Sequence, residues 1–452
     1  MAGHPVRTAF ATLAMLVVSA TAAQPAAPLR YDLVFHMRGE LLDHVEVEVR
    51  TRTGPDGLAD FSMPAGQAME VRADHAILDT SSPGHWILRA APGTDVALTW
   101  RSPSAASSRE PTPDLWRSVL VRADAVAAVS PVLLAIPSGP STRRVDVHWS
   151  APPGWAVSTS LVQGAQSLAQ VQGGTFMAGR HLRIATKRVG DARIAVASLG
   201  SRRNVDAGAD RIARAVGEAA MPFTRHDYTF NIVELDGTDA GMATTTLPYG
   251  GTAYLAAGAP DDAWLPWVMV AAALPASRAE AATAWYTQGF VAFRPLHSLL
   301  AHGLISAQVL ARVLDQGMTN YGNSPFRRAP LRQVLEEYAS SSDMQAMVAG
   351  RGALFAWRVD AHVREATGGK RSLEDALALM DHAMNDPGPA LIAAVAAIGA
   401  GDIAPLYKRY IVDGDLLQLP RDTLGPCFTI GTVADWNGWQ VQHVFAKPAC
   451  PR

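Results

Sequence analysis

Residues 285–306 read WYTQGFVAFRPLHSLLAHGLIS. The stretch lies in a part of the chain, from about Asp261 onward, where apolar side chains recur at helical spacing and Gly or Pro marks most breaks. Ser306 at its end and Ser372 further on are placed as N-caps, since a Ser hydroxyl accepts from a free amide of the first helical turn. Upstream the period is two. Val45, Val47 and Val49 alternate with Glu46, Glu48 and Arg50, and both Val96, Leu98, Trp100 and Val145, Val147, Trp149 repeat the form. Residues 24–160 therefore read as an antiparallel β-sandwich, with a surface loop over the Pro- and Ser-rich Ser102–Pro113. In residues 161–260, strands at Leu182–Thr186, Arg193–Leu199 and Tyr228–Glu234 and a helix at Ala209–Ala220 predict a small mixed sheet. Residues 261–424 are the helical part. Strands first and helices afterwards give an α+β chain.

At the N-terminus, Met1–Arg7 carries one Arg and no acid, Ala9–Val18 is apolar, and Ala20–Ala23 are small. This is the pattern of a signal peptide over residues 1–23, which predicts an exported protein, periplasmic or extracellular, beginning near Gln24. An uncleaved anchor is the alternative, but the run falls short of the roughly 20 residues that span a bilayer. No later segment is long enough. With 39 basic and 41 acidic residues the formal net charge is −2, which leaves no electrostatic footprint for nucleic acid or an anionic membrane. Cys427 and Cys450 are the only cysteines, and in an exported chain they predict one disulfide in a C-terminal tail, residues 425–452. Two thiols also exclude an all-cysteine zinc site.

The run Trp285–Phe290 resembles the W-F-x-E-G-F segment of the glycyl aminopeptidase family of zinc metallopeptidases, in the thermolysin-like gluzincin clan. His302–Ser306 is similar to that family's R-A-G-L-I-S, and Tyr321–Arg328 (YGNSPFRR) to its Y-x-N-T-P-G-R. Gly352–Leu354 resembles its K-G-A-L, Ala366–Leu373 its A-T-G-G-K-x-S-L, and Pro153–Trp155 its P-x-G-W. The order of these segments covers roughly residues 30–420. It implies an N-terminal β domain beside a thermolysin-like domain, without the family's C-terminal PDZ module. A phosphate loop at Ala366–Ser372 is excluded, because Arg364 occupies the position where that loop needs its first Gly.

What the resemblance implies chemically, the residues withhold. Such a peptidase needs two histidines at i and i+4, which share one helix face and grip one zinc ion, with a Glu beside the first as general base. The histidine helix would fall within Leu265–Ala273, which reads LPWVMVAAA, and there is no histidine between His226 and His297. The third-ligand position is the neutral Gln288. Four residues on, where the family places an Asp that orients a zinc-binding imidazole, stands Ala292. Its G-L-E-H segment aligns with Gly241–Thr244, putting Ala243 at the acid, and its Y-E-K-G run aligns with Ala349–Gly352, putting Ala349 at the tyrosine that polarises the tetrahedral intermediate. Metal activation lowers the pKa of bound water from about 15.7 to about 7, and nothing in this set replaces that. No catalytic residue and no metal ligand is assigned; zinc, the cofactor expected of the family, lacks its ligands.

His297 and His302, five apart, miss a shared helix face. Glu336 and Glu337, adjacent on a helix, point to different faces, and Asp381 and His382 have the same ordinary surface reading. The aromatics Trp264, Trp267, Trp285 and Tyr286, with Gln288, are candidates for lining a ligand cleft, against the plainer reading of core packing. The sequence thus predicts an exported, catalytically inactive peptidase-like protein that binds a peptide or protein in the former cleft. The rivals are a hydrolase using a non-standard residue set and a purely structural partner of another protein.

Overall fold

A computed structural model of the chain describes residues 29–448 except 64–67, 83, 104–118, 201–203, 219–226, 236–242, 248, 257–264, 267–269, 271–279, 339, 381–385 and 436. Residues 1–23, where a signal peptide is expected, the Ser102–Pro113 loop beyond its first two residues, Trp264, Trp267, Asp381, His382 and Cys450 lie outside the described residues.

Alternating hydrophobicity does what the pleat demands. In the first half the strands are β1 (Leu29–Arg38), β2 (Leu41–Arg52), β3 (Leu58–Ser62), β4 (Met69–Asp74), β5 (Ile77–Asp79), β6 (His85–Arg89), β7 (Asp95–Arg101), β8 (Leu120–Arg122), β9 (Ala125–Val129), β10 (Ile136–Pro137), β11 (Arg144–Ser150), β12 (Ala156–Thr159), β13 (Gly164–Ser167) and β14 (Thr175–Gly179). They form three sheets, ordered β13-β11-β1-β2-β7-β4, β10-β3-β6-β5 and β12-β14-β9-β8. Val45, Val47, Val49, Leu98 and Trp100 are all 1 % exposed or less, in a core shared with Phe61, Leu88 and Phe176. One sequence expectation needs correcting. The first sheet is not wholly antiparallel, because β1 and β11 pair in parallel from Leu29↔Val145 to Val34↔Ser150. Strand pairing also runs across residue 160: β13 pairs with β11, and β14 with β9 and β12.

The mixed sheet is present, with β15 (Leu182–Val189), β16 (Ala192–Leu199), β17 (Tyr228–Leu235), β18 (Ala243–Leu247) and β19 (Gly250–Ala256) in the order β15-β16-β17-β19-β18. Every residue of β17 is buried, as a central strand with parallel neighbours requires. A buried polar network joins this sheet to β12 and β14. Ser158 Oγ donates to Asn231 Oδ1 at 2.8 Å, Asn231 Nδ2 donates to Thr175 Oγ1 at 3.2 Å, and the Thr175 and Thr252 hydroxyls lie 2.6 Å apart.

Three helices interrupt the strands, α1 (Ser130–Leu133), α2 (Leu168–Gln172) and α3 (Val205–Glu218), the last beginning four residues before the expected Ala209. A π-helical turn, Trp285–Gly289, then runs through a 3-10 turn into α4 (Phe293–Ala301). After it come α5 (Ala307–Gly322), α6 (Leu331–Glu337), α7 (Ser342–Ala366), α8 (Leu373–Leu377), α9 (Pro387–Ala397) and α10 (Ala404–Tyr407). Both sequence-assigned caps are in place. Ser306 Oγ accepts from Val309 N at 3.3 Å, and Ser372 caps α8 while Asp375 accepts from Ser372 N at 2.8 Å.

The expected tail is an element of the fold. Residues 428–446 form a hairpin of β20 (Phe428–Ala434) and β21 (Gln440–Ala446), packed on α5, with Phe428, Ile430, Val441 and Val444 buried. Asp315 of α5 accepts from Val444 N at 2.9 Å, and its Oδ1 lies 3.0 Å from His443 Nδ1. Among the described residues no helix is long and apolar enough to cross a membrane.

Candidate functional site

The site is built around a crossing of two backbones. A Cβ on Gly289 would lie 2.1 Å from the Ala349 carbonyl oxygen, and one on Gly352 would lie 1.8 Å from that of Trp285. Neither approach leaves room for a methyl group, so the π-helical turn and α7 meet only because both positions are glycine. Two of the segments that carried the sequence resemblance, Trp285–Phe290 and Gly352–Leu354, are the two sides of this contact.

The crossing sets where the neighbouring side chains fall. Gln288 is half-buried, and its Oε1 accepts a hydrogen bond from the Tyr338 hydroxyl at 2.8 Å. Tyr338, just past α6, is 5 % exposed, and its carbonyl accepts from Gln345 Nε2 at 2.8 Å. Ala349 presents its backbone carbonyl to Gly289, and Ala292 is buried in the 3-10 turn. Gln288 and Ala349 therefore converge on one crossing, whereas Ala243 stands in the edge strand β18, its backbone in register with Tyr254. Of the window Leu265–Ala273, residues 267–269 and 271–273 lie outside the described residues.

Two of the proposed cleft aromatics are buried in the main core cluster. Trp285 is 3 % exposed, with its ring 5.7 Å from Phe290, 5.8 Å from Phe355 and 5.5 Å from Tyr407 in edge or tilted contacts. Tyr286 stacks on Phe290 at 5.3 Å. A large apolar surface gains most where it is fully enclosed, and these rings are enclosed by one another.

The two nearby histidines are used elsewhere. His297 Nδ1 lies 2.9 Å from Glu374 Oε1 of α8, and its ring stacks on Phe293 at 5.3 Å. That hydrogen bond to Glu374 holds the imidazole above its ordinary pKa, and its counterpart holds the Glu374 carboxyl below its own. His302 Nδ1 lies 2.9 Å from Ser298 O, within its own helix turn. Glu336 is exposed, and Glu337 accepts from Gln333 Nε2 at 3.0 Å.

For the zinc ion implied by the resemblance, the donors do not fit. A neutral carboxamide whose oxygen already accepts from a phenol stands where the resemblance would place a carboxylate ligand. Among the described residues, no three His, Cys, Asp or Glu side chains are grouped so as to hold a metal ion. Tyr338 is the residue that sequence reasoning missed. It lies 50 positions from Gln288, and only the tertiary crossing brings the two together.

No protein-family model and no curated protein matches the sequence. Solved structures do match. An aminopeptidase N family protein from Idiomarina loihiensis is similar with a TM-score of 0.61 and 13 % identity, over 91 % of this chain and 81 % of that one. A mutant M1 zinc metallopeptidase from Deinococcus radiodurans, bound to a Tyr-Ser-Ala substrate, is similar with a TM-score of 0.50 and 15 % identity, over 87 % of this chain and 95 % of that one. At such identities the likeness is one of fold, and the chain is similar in fold to the M1 aminopeptidase N zinc metallopeptidases.

Proposed function

We propose that this protein is a degenerate relative of the glycyl aminopeptidases that keeps the peptidase shape and binds a peptide or protein in the former active-site cleft without hydrolysing it. The observation that carries the reading is the Gln288–Tyr338 hydrogen bond at 2.8 Å. Where the resemblance places a zinc-binding carboxylate, a carboxamide is held in place by a buried phenol, as befits a framework kept for shape. The missing histidines in residues 227–296 supply the second support. In the same reading, residues 1–23 direct export to the periplasm or cell exterior, and Cys427, next to the first strand of the hairpin, pairs with Cys450.

Metal analysis of the purified protein, paired with a screen of Ala- and Gly-initiated peptides, tests this. The expected result is no stoichiometric zinc, no chelator-sensitive cleavage and saturable peptide binding. Stoichiometric zinc with chelator-sensitive release of N-terminal residues would overturn it.

A further inference from the structure

The Tyr321–Arg328 segment, which the proposed function leaves unused, makes contacts that run from the C-terminal hairpin to the crossing. At the hairpin end the Arg327 guanidinium lies over the Trp439 ring, 3.4 Å from its centroid. Beside it a Cβ on Gly322 would lie 2.7 Å from Val441 Cγ1, so the end of α5 and β21 meet without slack. Arg327 Nη1 donates back to Gly322 O at 2.9 Å. The Tyr321 hydroxyl donates to Arg327 O at 3.1 Å and accepts from Leu417 N at 2.9 Å.

At the other end, Arg351 of α7 reaches the same loop and is 2 % exposed. Its Nη2 donates to Arg327 O at 3.0 Å and its Nη1 to Ala329 O at 2.7 Å. A buried guanidinium that loses its acceptors keeps the cost of its desolvation, so the loop and Arg351 are bound to move together. The next residue is Gly352, whose would-be Cβ lies 1.8 Å from the Trp285 carbonyl oxygen. That oxygen in turn accepts from Phe290 N within the π-helical turn. Every link is a direct contact, and the last has no room to absorb a shift of α7.

We propose that the hairpin is a built-in strap: docked through Trp439 on Arg327, and through Arg327 on Arg351, it holds α7 where Gly352 meets Trp285, and its release loosens the π-helical turn. Trp439, Arg327 and Arg351 are positioning residues, each acting through the next. The strap stands whether or not the cleft binds peptide.

Hydrogen exchange of the full chain, followed by mass spectrometry on peptides covering 285–292, 321–329 and 428–446, reads each link in turn. Trp439→Ala is expected to speed exchange by about three- to tenfold in 321–329 and also in 285–292, which holds the Phe290 amide. Phe445→Ala is the control, since that ring sits on the same hairpin, is 53 % exposed and lies off the path; it should leave 285–292 unchanged. Arg327→Lys keeps the charge but not the planar guanidinium, so in its background Trp439→Ala should add little at 285–292. In Arg351→Lys, which gives up the fork that holds two carbonyls, Trp439→Ala should still loosen 321–329 but no longer reach 285–292. If Arg351→Lys does not fold, the Trp439 and Arg327 cycle still decides. The strap is overturned if Trp439→Ala leaves 285–292 unchanged, if Phe445→Ala loosens it equally, or if the Trp439→Ala and Arg327→Lys effects there simply multiply.

Discussion

At Gly352 a single hydrogen in place of a side chain decides whether two segments can touch. Since a Cβ there would sit 1.8 Å from the Trp285 carbonyl oxygen, Gly352→Ala must push α7 off the π-helical turn. Overpacking of this kind costs about 1–3 kcal/mol or more, and here both surfaces are backbone, so the upper end is expected. Gly317 of α5 is the control: nothing lies within 4 Å of its would-be Cβ, so Gly317→Ala should stabilise by about 0.5–1 kcal/mol. Urea unfolding of both variants checks the pair, and equal midpoints would refute the contact. The sequence marked Gly289 and Gly352 as parts of shared motifs, but spacing along a chain does not say that two glycines face each other. Trp285 and Tyr286 were open to two readings for a related reason, since a ring in a cleft and a ring in a core look alike until its neighbours are known. Tyr338 had no signal at all.

The clip between α4 and α8 gives a pH dependence with a definite sign. His297 is held above its ordinary 6.5 by Glu374, so its contribution is complete below 6.5 and is lost as pH rises through the folded value above it. Glu374 is held below its ordinary 4.5 by His297, so its contribution is complete above 4.5 and is lost as pH falls through the folded value below it. The pair therefore stabilises most between pH 4.5 and 6.5. With side chains 34 % and 38 % exposed, solvent screening keeps the effect small, of the order expected for surface pairs, below about 1 kcal/mol. The difference in urea midpoint between wild type and Glu374→Gln should be largest in that window and shrink on both sides; a difference independent of pH would remove the clip. Elements like these were partly legible. Ser306 and Ser372 were found as caps because capping is a local matter of one hydroxyl and one turn. The β1–β11 pairing was not, because alternation tells which face of a strand is buried but not which strand lies beside it or in which direction.

At the scale of the whole molecule, the sequence conveyed the sequence of layers, strands before helices, since that order is a change of hydrophobic period. It did not convey what holds the layers to each other. Asn231, Thr175 and Thr252 are fully buried, and polar side chains scattered over 77 residues carry no period by which to read them as one network. Asn231→Leu would leave Ser158 and Thr175 with a lost partner each, and a cost of about 1–3 kcal/mol per abandoned buried group predicts a clear drop in thermal midpoint. The C-terminal residues show the same limit more strongly, because what reads as a tail beyond residue 424 supplies part of the main core. Phe428, Ile430 and Val444 join the cluster that contains Trp285 and Phe355, Val441 is buried in the same hairpin, and Asp315 on α5 is bound by the hairpin's backbone. Burial of each such apolar side chain is worth about 1.5–3 kcal/mol, so the four together approach the net stability of about 5–15 kcal/mol that a whole protein has. A chain ending at Leu424 is therefore expected to lose cooperative unfolding and to expose α5, seen as a flattened urea transition and binding of an apolar dye. If it melted like the full chain, the hairpin would be an appendage after all, and the core would have to be closed by the helices alone.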